Sequence, residues 1–268
     1  MDEKEYVPIY FKDLFKTIFS DESDLEPLKY LIKQILDVEV NDIKIIKDKI
    51  SRDRLLNLYA YAETDDGLIH NFMFTTDNLF VDLKESFLIL CEAIGDDYGK
   101  YLDYTNLRYH IVNFNFGNIK EVAPVSNYAL ASKSDPEDKY ETFEIKDIDL
   151  PYYEKKYLNK ESENELEKLL GIIGLTKQID ITEDNKVLNK IIKKANDYRN
   201  GEKLISNYKK YKYDYDRIQD EVDISIRHKM EDIIDKMEEK NISVEDISDI
   251  TSLSIKEINK IKSNRTLI

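Results

Sequence analysis

A chain of 268 residues with 41% hydrophobic and 35% charged positions can bury a substantial core, which excludes disorder as its overall state. Its formal net charge is −15, but residues 186–212 hold nine Lys and Arg against Asp197 and Glu202, so any electrostatic affinity for nucleic acid is expected in that stretch. No apolar run approaches the length of a membrane span, and the opening MDEKEYVPIYFKD is acidic where a signal peptide is basic, so a cytoplasmic protein is expected. The single cysteine, Cys91, lies in the apolar run FLILCEAI and reads as a small buried hydrophobe, with no disulfide framework.

In chain order, SDLEPLKYLIKQILD places Leu25, Leu28, Leu31, Ile32, Ile35 and Leu36 at helical spacing, with Ser23 as the expected N-cap. Three strands follow, in VEVNDIKIIKDKI, LLNLYAYAET and GLIHNFMFTT, the last two joined by a turn at Asp65-Asp66-Gly67. NLFVDLKESFLILCEAIG repeats Leu79, Leu83, Phe87, Leu90 and Ile94 on one stripe and ends at Gly95, which predicts a long helix. LRYHIVNFNF and ETFEIKDIDL read as strands, and ALASKSDPEDK between them reads as a loop.

From about Ser162 the chain is rich in helix formers. Its end, KMEDIIDKMEEKNISVEDISDITSLSIKEINKIK, predicts a helical hairpin with Ser243 and Ser254 as N-caps. Ile242, Ile247, Ile250, Leu253, Ile255, Ile258 and Ile261 are expected to pack together there. The expected division is therefore 1–160 as an α/β domain, 161–235 as a helical extension and 236–268 as the hairpin.

Several of these segments resemble, in order and spacing, the recombination-promoting nuclease (Rpn) family of PD-(D/E)XK nucleases, whose members include transposase-like proteins. The opening YFKDLFKTIFS resembles the family's Asp-x-x-Phe-Lys-x-x-Phe start at Phe15, Lys16 and Phe19, although Lys12 falls on the acidic position and Asp13 comes one later. The resemblance continues through the strands around Asp66-Gly67, the Gly95-Asp-Asp-Tyr98 stretch, YHIVNFNF and IKDIDLPYYEK. It resumes in the tail, where Asn241 to Ile258 is similar to the family pattern N-I-S-x-E-x-I-x-x-I-T-x-L-S-x-x-E-I. The resemblance implies a restriction-endonuclease-like α/β core, in the order helix, three strands, helix, strand, with a C-terminal helical extension.

It also implies an Asp on the strand before the turn and a Glu-x-Gln or Glu-x-Lys on the strand after it, which hold the Mg²⁺ that activates water. In this chain those positions fall on Asn57, Met73 and Thr75. None is an ionisable oxygen ligand. The residues alone lead to the same expectation, since Leu55 to Ala62 and Leu68 to Thr76 contain neither a carboxylate nor a lysine. A thioether and a lone amide are poor partners for Mg²⁺.

The expectation is thus a catalytically degenerate nuclease relative with no cofactor, acting as a binding or regulatory protein. It would pair with itself or with an active relative through the helical C-terminus. The alternative is an active Mg²⁺-dependent endonuclease whose site has migrated to Asp13, Glu63, Asp66 or Asp77. A further alternative is an acidic mimic of DNA. His70, His110 and His228 show no mutual spacing that reads as a zinc motif. Lys209, Lys210, Tyr211 and Lys212 interleave cations with aromatic rings and are the candidates for nucleic-acid contact.

Overall fold

The computed structural model describes residues 6–46, 56–65, 67–77, 107–116, 124–131, 139–178, 182–240, 242–251, 254–256 and 258–259. Along the chain lie α1 (Lys12–Phe19), α2 (Glu26–Leu36), β1 (Lys44–Ile45), β2 (Leu56–Glu63), β3 (Ile69–Asp77), β4 (Leu107–Asn115), β5 (Val125–Ala131) and β6 (Lys139–Asp149). They are followed by α3 (Leu150–Leu158), α4 (Glu165–Gly174), α5 (Lys186–Arg199), α6 (Glu202–Glu239) and α7 (Val244–Thr251). The helix expected over residues 79–95 and Cys91 within it lie outside the described residues.

The strands form one mixed sheet in the order β1-β2-β3-β4-β6-β5. β1–β2 and β2–β3 pair antiparallel, β3–β4 and β4–β6 pair parallel, and β5 returns antiparallel to β6. The β2–β3 turn closes through Gly67, whose φ of 78° suits a residue without Cβ, and its N–H donates to the Thr64 carbonyl at 2.9 Å. The fold is therefore mixed α/β, as expected. β5 is a correction, because ALA at 129–131 pairs with β6 instead of forming a loop. The edge of β6 supplies the hydrogen bonds that this weakly patterned segment does not advertise.

Alternation along β3 gives the sheet two faces. One carries Phe72 and Phe74 with Leu58, Val112 and Phe114, and α1 packs onto it through Phe15, whose ring lies 6.0 Å from Phe74 and 5.6 Å from Phe114. The other carries a buried cluster of Tyr59, Met73, Leu107, Tyr109, Ile111 and Ile145. β3 is thus buried on both faces, which is why FMF reads as a continuous apolar run.

α2 buries Leu28, Leu31, Ile32, Ile35 and Leu36 on one stripe, as expected. Its N-cap is Leu25 with Pro27 in the first turn, and Ser23 instead bonds to Asp21 Oδ1. The proline's fixed φ starts the helix two residues beyond the expected cap.

Two compact units divide at Ile205/Ser206, inside the stretch expected as a helical extension. α4 and α5 belong to the first unit because α3 and α4 pack closely at Gly171, and α5 is tied to the segment before α2. Lys190 Nζ lies 2.7 Å from Asp24 and 2.6 Å from Glu26, and Lys194 Nζ lies 2.9 Å from Asp21 and 2.8 Å from Asp24. Asn164 and Asn185 cap α4 and α5 by accepting backbone N–H bonds.

In the second unit Ser243 caps α7, its Oγ accepting the Asp246 N–H at 3.1 Å. The Ile258 N–H donates to the Ser254 carbonyl, so Ser254 opens the next helical turn. Ile234, Ile247 and Ile258 form the buried contact, with Met237, Ile242 and Val244 against it. Ile250 and Ile255 are exposed, which corrects the expected seven-residue cluster, since Ile234 of α6 takes a central place in it. Among the described residues no helix is long and apolar enough to cross a membrane.

Candidate functional site

β2 and β3 bring Asn57, Met73 and Thr75 close together on neighbouring strands. Tyr59 opposes Met73, Leu56 opposes Thr75, and the register shifts between Leu56 and Leu58, so Asn57 falls at the irregularity. Met73 is fully buried in the apolar cluster. Thr75 is buried too, and its Oγ1 donates to Asn113 Oδ1 at 3.0 Å. Neither residue offers an anionic oxygen, and the thioether of Met73 is enclosed by apolar side chains, so this donor set does not fit Mg²⁺.

The Thr75 contact continues across the sheet. Asn113 Nδ2 donates to Asp147 Oδ1 at 2.8 Å, which makes a row over the parallel strands β3, β4 and β6. One step further along, Asp77, Asn115 and Asp149 are in register. These positions lie at the carboxyl ends of three parallel strands, where open α/β sheets commonly place their ligands.

Burial pushes the Asp147 carboxyl above its ordinary range, the Asn113 hydrogen bond opposes this, and the nearby Asp149 charge adds to it. Asp149 is also pushed up by burial, against the hydrogen bond from the Tyr152 N–H that it accepts as the N-cap of α3.

Among the described residues, those proposed for a migrated site are not gathered in one place. Glu63 is exposed beside the turn and opposes Ile69, while Asp77 closes β3 at its other end, roughly 26 Å along the strand. Asp13 is on α1, against the other layer of the unit. Asp66 lies outside the described residues. Of these, Asp77 alone stands in register with the carboxyl-end row. Among the described residues no group of three or more His, Cys, Asp or Glu is arranged to hold a metal ion.

Asn113, Asp147 and Asp149 were not among the residues singled out from sequence. Their signal is the repeat of a polar residue at i and i+2 in NFNF and KDID, the period that puts both on one face.

Two of the histidines, which no sequence spacing links, meet in the fold. His70 and His110 are adjacent, with Nδ1 of the first 2.9 Å from Nε2 of the second, because β3 and β4 pair across a long separation in sequence.

Three of the nine cations in the basic stretch are committed internally, and the other six are exposed. Lys190 and Lys194 form the ion pairs described above. Arg199 is buried, its Nε donating to the Val7 carbonyl at 2.8 Å and its guanidinium 3.8 Å from the Tyr6 ring centroid. On α6, Lys209, Lys210 and Lys212 are exposed, while Tyr208 is buried with its ring 6.4 Å from Tyr211.

Comparison with protein-family models, with curated proteins and with solved structures finds no match to this chain.

Proposed function

We propose that this chain is a recombination-promoting nuclease-like scaffold that no longer cuts DNA and instead acts as a binding or regulatory protein. One observation carries the reading. At the two positions of β3 where the resemblance requires a Glu and a Gln or Lys, the chain has Met73 sealed in an apolar cluster and Thr75 hydrogen-bonded sideways to Asn113. The order α1, α2, β1, β2, β3, with β4 parallel to β3, is compatible with the nuclease core and supports the scaffold half of the reading. Exposed Ile233, Ile250 and Ile255 on the second unit support association with another protein, either a second copy or an active relative.

A second reading is favoured by Asp147 and Asp149, two carboxylates on one strand face held above their ordinary range. In it, the carboxyl-end row rather than the hairpin holds a divalent cation, and cleavage survives there.

A Mn²⁺ titration followed by the electron-spin resonance of the free ion separates the two. The binding-protein reading predicts no stoichiometric uptake of Mn²⁺. Stoichiometric uptake that Asp147→Asn with Asp149→Asn abolishes would replace it with the second reading.

A further inference from the structure

The sequence contains one Asn-Gly pair, Asn200-Gly201, and it falls where α5 ends and α6 begins. Both residues are exposed. Asn200 is the C-cap of α5, with φ −87° and ψ 3°. The Gly201 N–H donates to the Tyr198 carbonyl at 3.0 Å, and the Gly201 carbonyl accepts the Ile205 N–H at 3.0 Å.

The pair has a reaction open to it that needs only water. An asparagine side-chain amide carbon can close a five-membered ring with the backbone nitrogen of the next residue, and a glycine there puts no Cβ in the way. Attack by the Gly201 nitrogen on Asn200 Cγ forms a C–N bond and breaks the bond from Cγ to Nδ2. The proton lost from the Gly201 nitrogen leaves with Nδ2 as ammonia. Water then opens the cyclic imide at one of its two carbonyls, leaving an aspartyl or an isoaspartyl linkage at position 200.

The closed joint opposes the attack in two ways. Reaction needs the nitrogen to face Cγ at about 3 to 3.5 Å, whereas the hydrogen bond to Tyr198 turns the Gly201 N–H back into the last turn of α5. Ring closure also needs the Cα–Cβ and C–N bonds of Asn200 nearly eclipsed about Cα–C, and at ψ 3° they are far apart. The turn just before the pair is anchored. Arg199 is buried, its Nε donates to the Val7 carbonyl at 2.8 Å, its Nη1 donates to Asn196 Oδ1 at 3.0 Å, and its guanidinium lies 3.8 Å from the Tyr6 ring centroid.

We infer that Asn200 is a deamidation site kept closed by the fold, which converts when the turn after Arg199 opens and the Gly201 N–H leaves the Tyr198 carbonyl. Conversion changes the joint. It puts a carboxylate at the C-terminal end of α5, where the helix dipole disfavours negative charge. The isoaspartyl form also carries the main chain through Cβ, one atom longer between α5 and α6.

Peptide mapping by mass spectrometry, on the full chain incubated for increasing times in mildly alkaline buffer with and without urea, tests this. Asn200 should convert about tenfold or more faster in urea than in the folded chain, because the closed turn must first open in the latter. Arg199→Met, which releases the end of α5 without touching the reacting atoms, should speed conversion in the folded chain. Asn200→Gln, whose longer side chain cannot form the five-membered ring, should abolish it. Equal rates with and without urea would overturn the closure, and an Asn200 that stays intact in urea would overturn the site. If Arg199→Met does not fold, the comparison of the unaltered chain with and without urea decides.

Discussion

Thr75 gives its hydroxyl proton to the Asn113 side chain at 3.0 Å, across a parallel pair of strands that are 38 positions apart in sequence. Asn113 passes the polarity on to Asp147, so the hydroxyl is held along the sheet and not toward the Met73 side of the hairpin. Replacing Thr75 with Val should cost about 1 kcal/mol in urea unfolding, because the half-buried Asn113 oxygen loses its donor.

Asp147 carries a pH-dependent signature. Its folded pKa is raised, mainly by burial, so the native state binds a proton more readily than the unfolded state. The destabilisation this causes is absent below the unfolded pKa of about 3.9 and complete above the folded value. Asp147→Asn can still accept the Asn113 N–H and should raise the unfolding temperature at neutral pH. The gain should disappear as pH falls below about 4. Scanning calorimetry across that range checks both limbs.

Met73→Glu asks whether this position of β3 can take the acidic ligand that the nuclease resemblance implies. The site is fully buried among Tyr59, Tyr109, Ile111 and Ile145, so the carboxyl enters neutral or disrupts the cluster. The expected cost is about 3 kcal/mol or more, read by chemical denaturation. A variant as stable as the parent would show that the hairpin still accommodates an acidic ligand.

Lys194 bridges Asp21 and Asp24, and its hydrogen bond, followed by that from Ser23, lowers the Asp21 carboxyl to about 2. Asp24 is lowered as well. Burial opposes the shift there, and the Lys190 and Lys194 hydrogen bonds outweigh it. A depressed carboxylate stabilises the fold above its unfolded pKa, and that contribution is lost as pH falls through the folded value. Lys194→Met should cost about 1 kcal/mol near neutrality, since these groups are partly exposed and screened. The difference from the parent should shrink in high salt and below about pH 4.

Much of the first unit is legible in sequence where periodicity carries the signal. The apolar stripe of α2, the alternation in β2, β4 and β6, and the Gly67 turn all appear at the expected positions. The long-range pairings are not legible. His70 meets His110 and Thr75 meets Asn113 only after β3 and β4 align, and nothing local to either strand specifies that register. The division between the two units is not legible for a related reason. Helix formers in α4 and α5 look the same whether the helices stand apart or pack, and what ties α5 in is a set of ion pairs to residues more than 160 positions earlier.

Gly171 tests that packing directly. A Cβ there would come within 2.4 Å of Tyr157 Cβ on α3, so α3 and α4 must separate to admit it. Gly171→Ala should destabilise the first unit by about 1 to 3 kcal/mol, although alanine is the better helix former. A stabilised variant would show that α4 does not pack on α3 as closely as the structure has it.

The most direct test of the binding role is supercoiled-plasmid nicking by the purified chain with Mg²⁺ or Mn²⁺. A chelated control, Asp13→Ala with Asp77→Asn, and Asp147→Asn with Asp149→Asn would be run alongside it. The account predicts no conversion to the open-circular form beyond the chelated control. Metal-dependent nicking lost in either variant would contradict it and place a working nuclease centre at the residues whose substitution removes the activity.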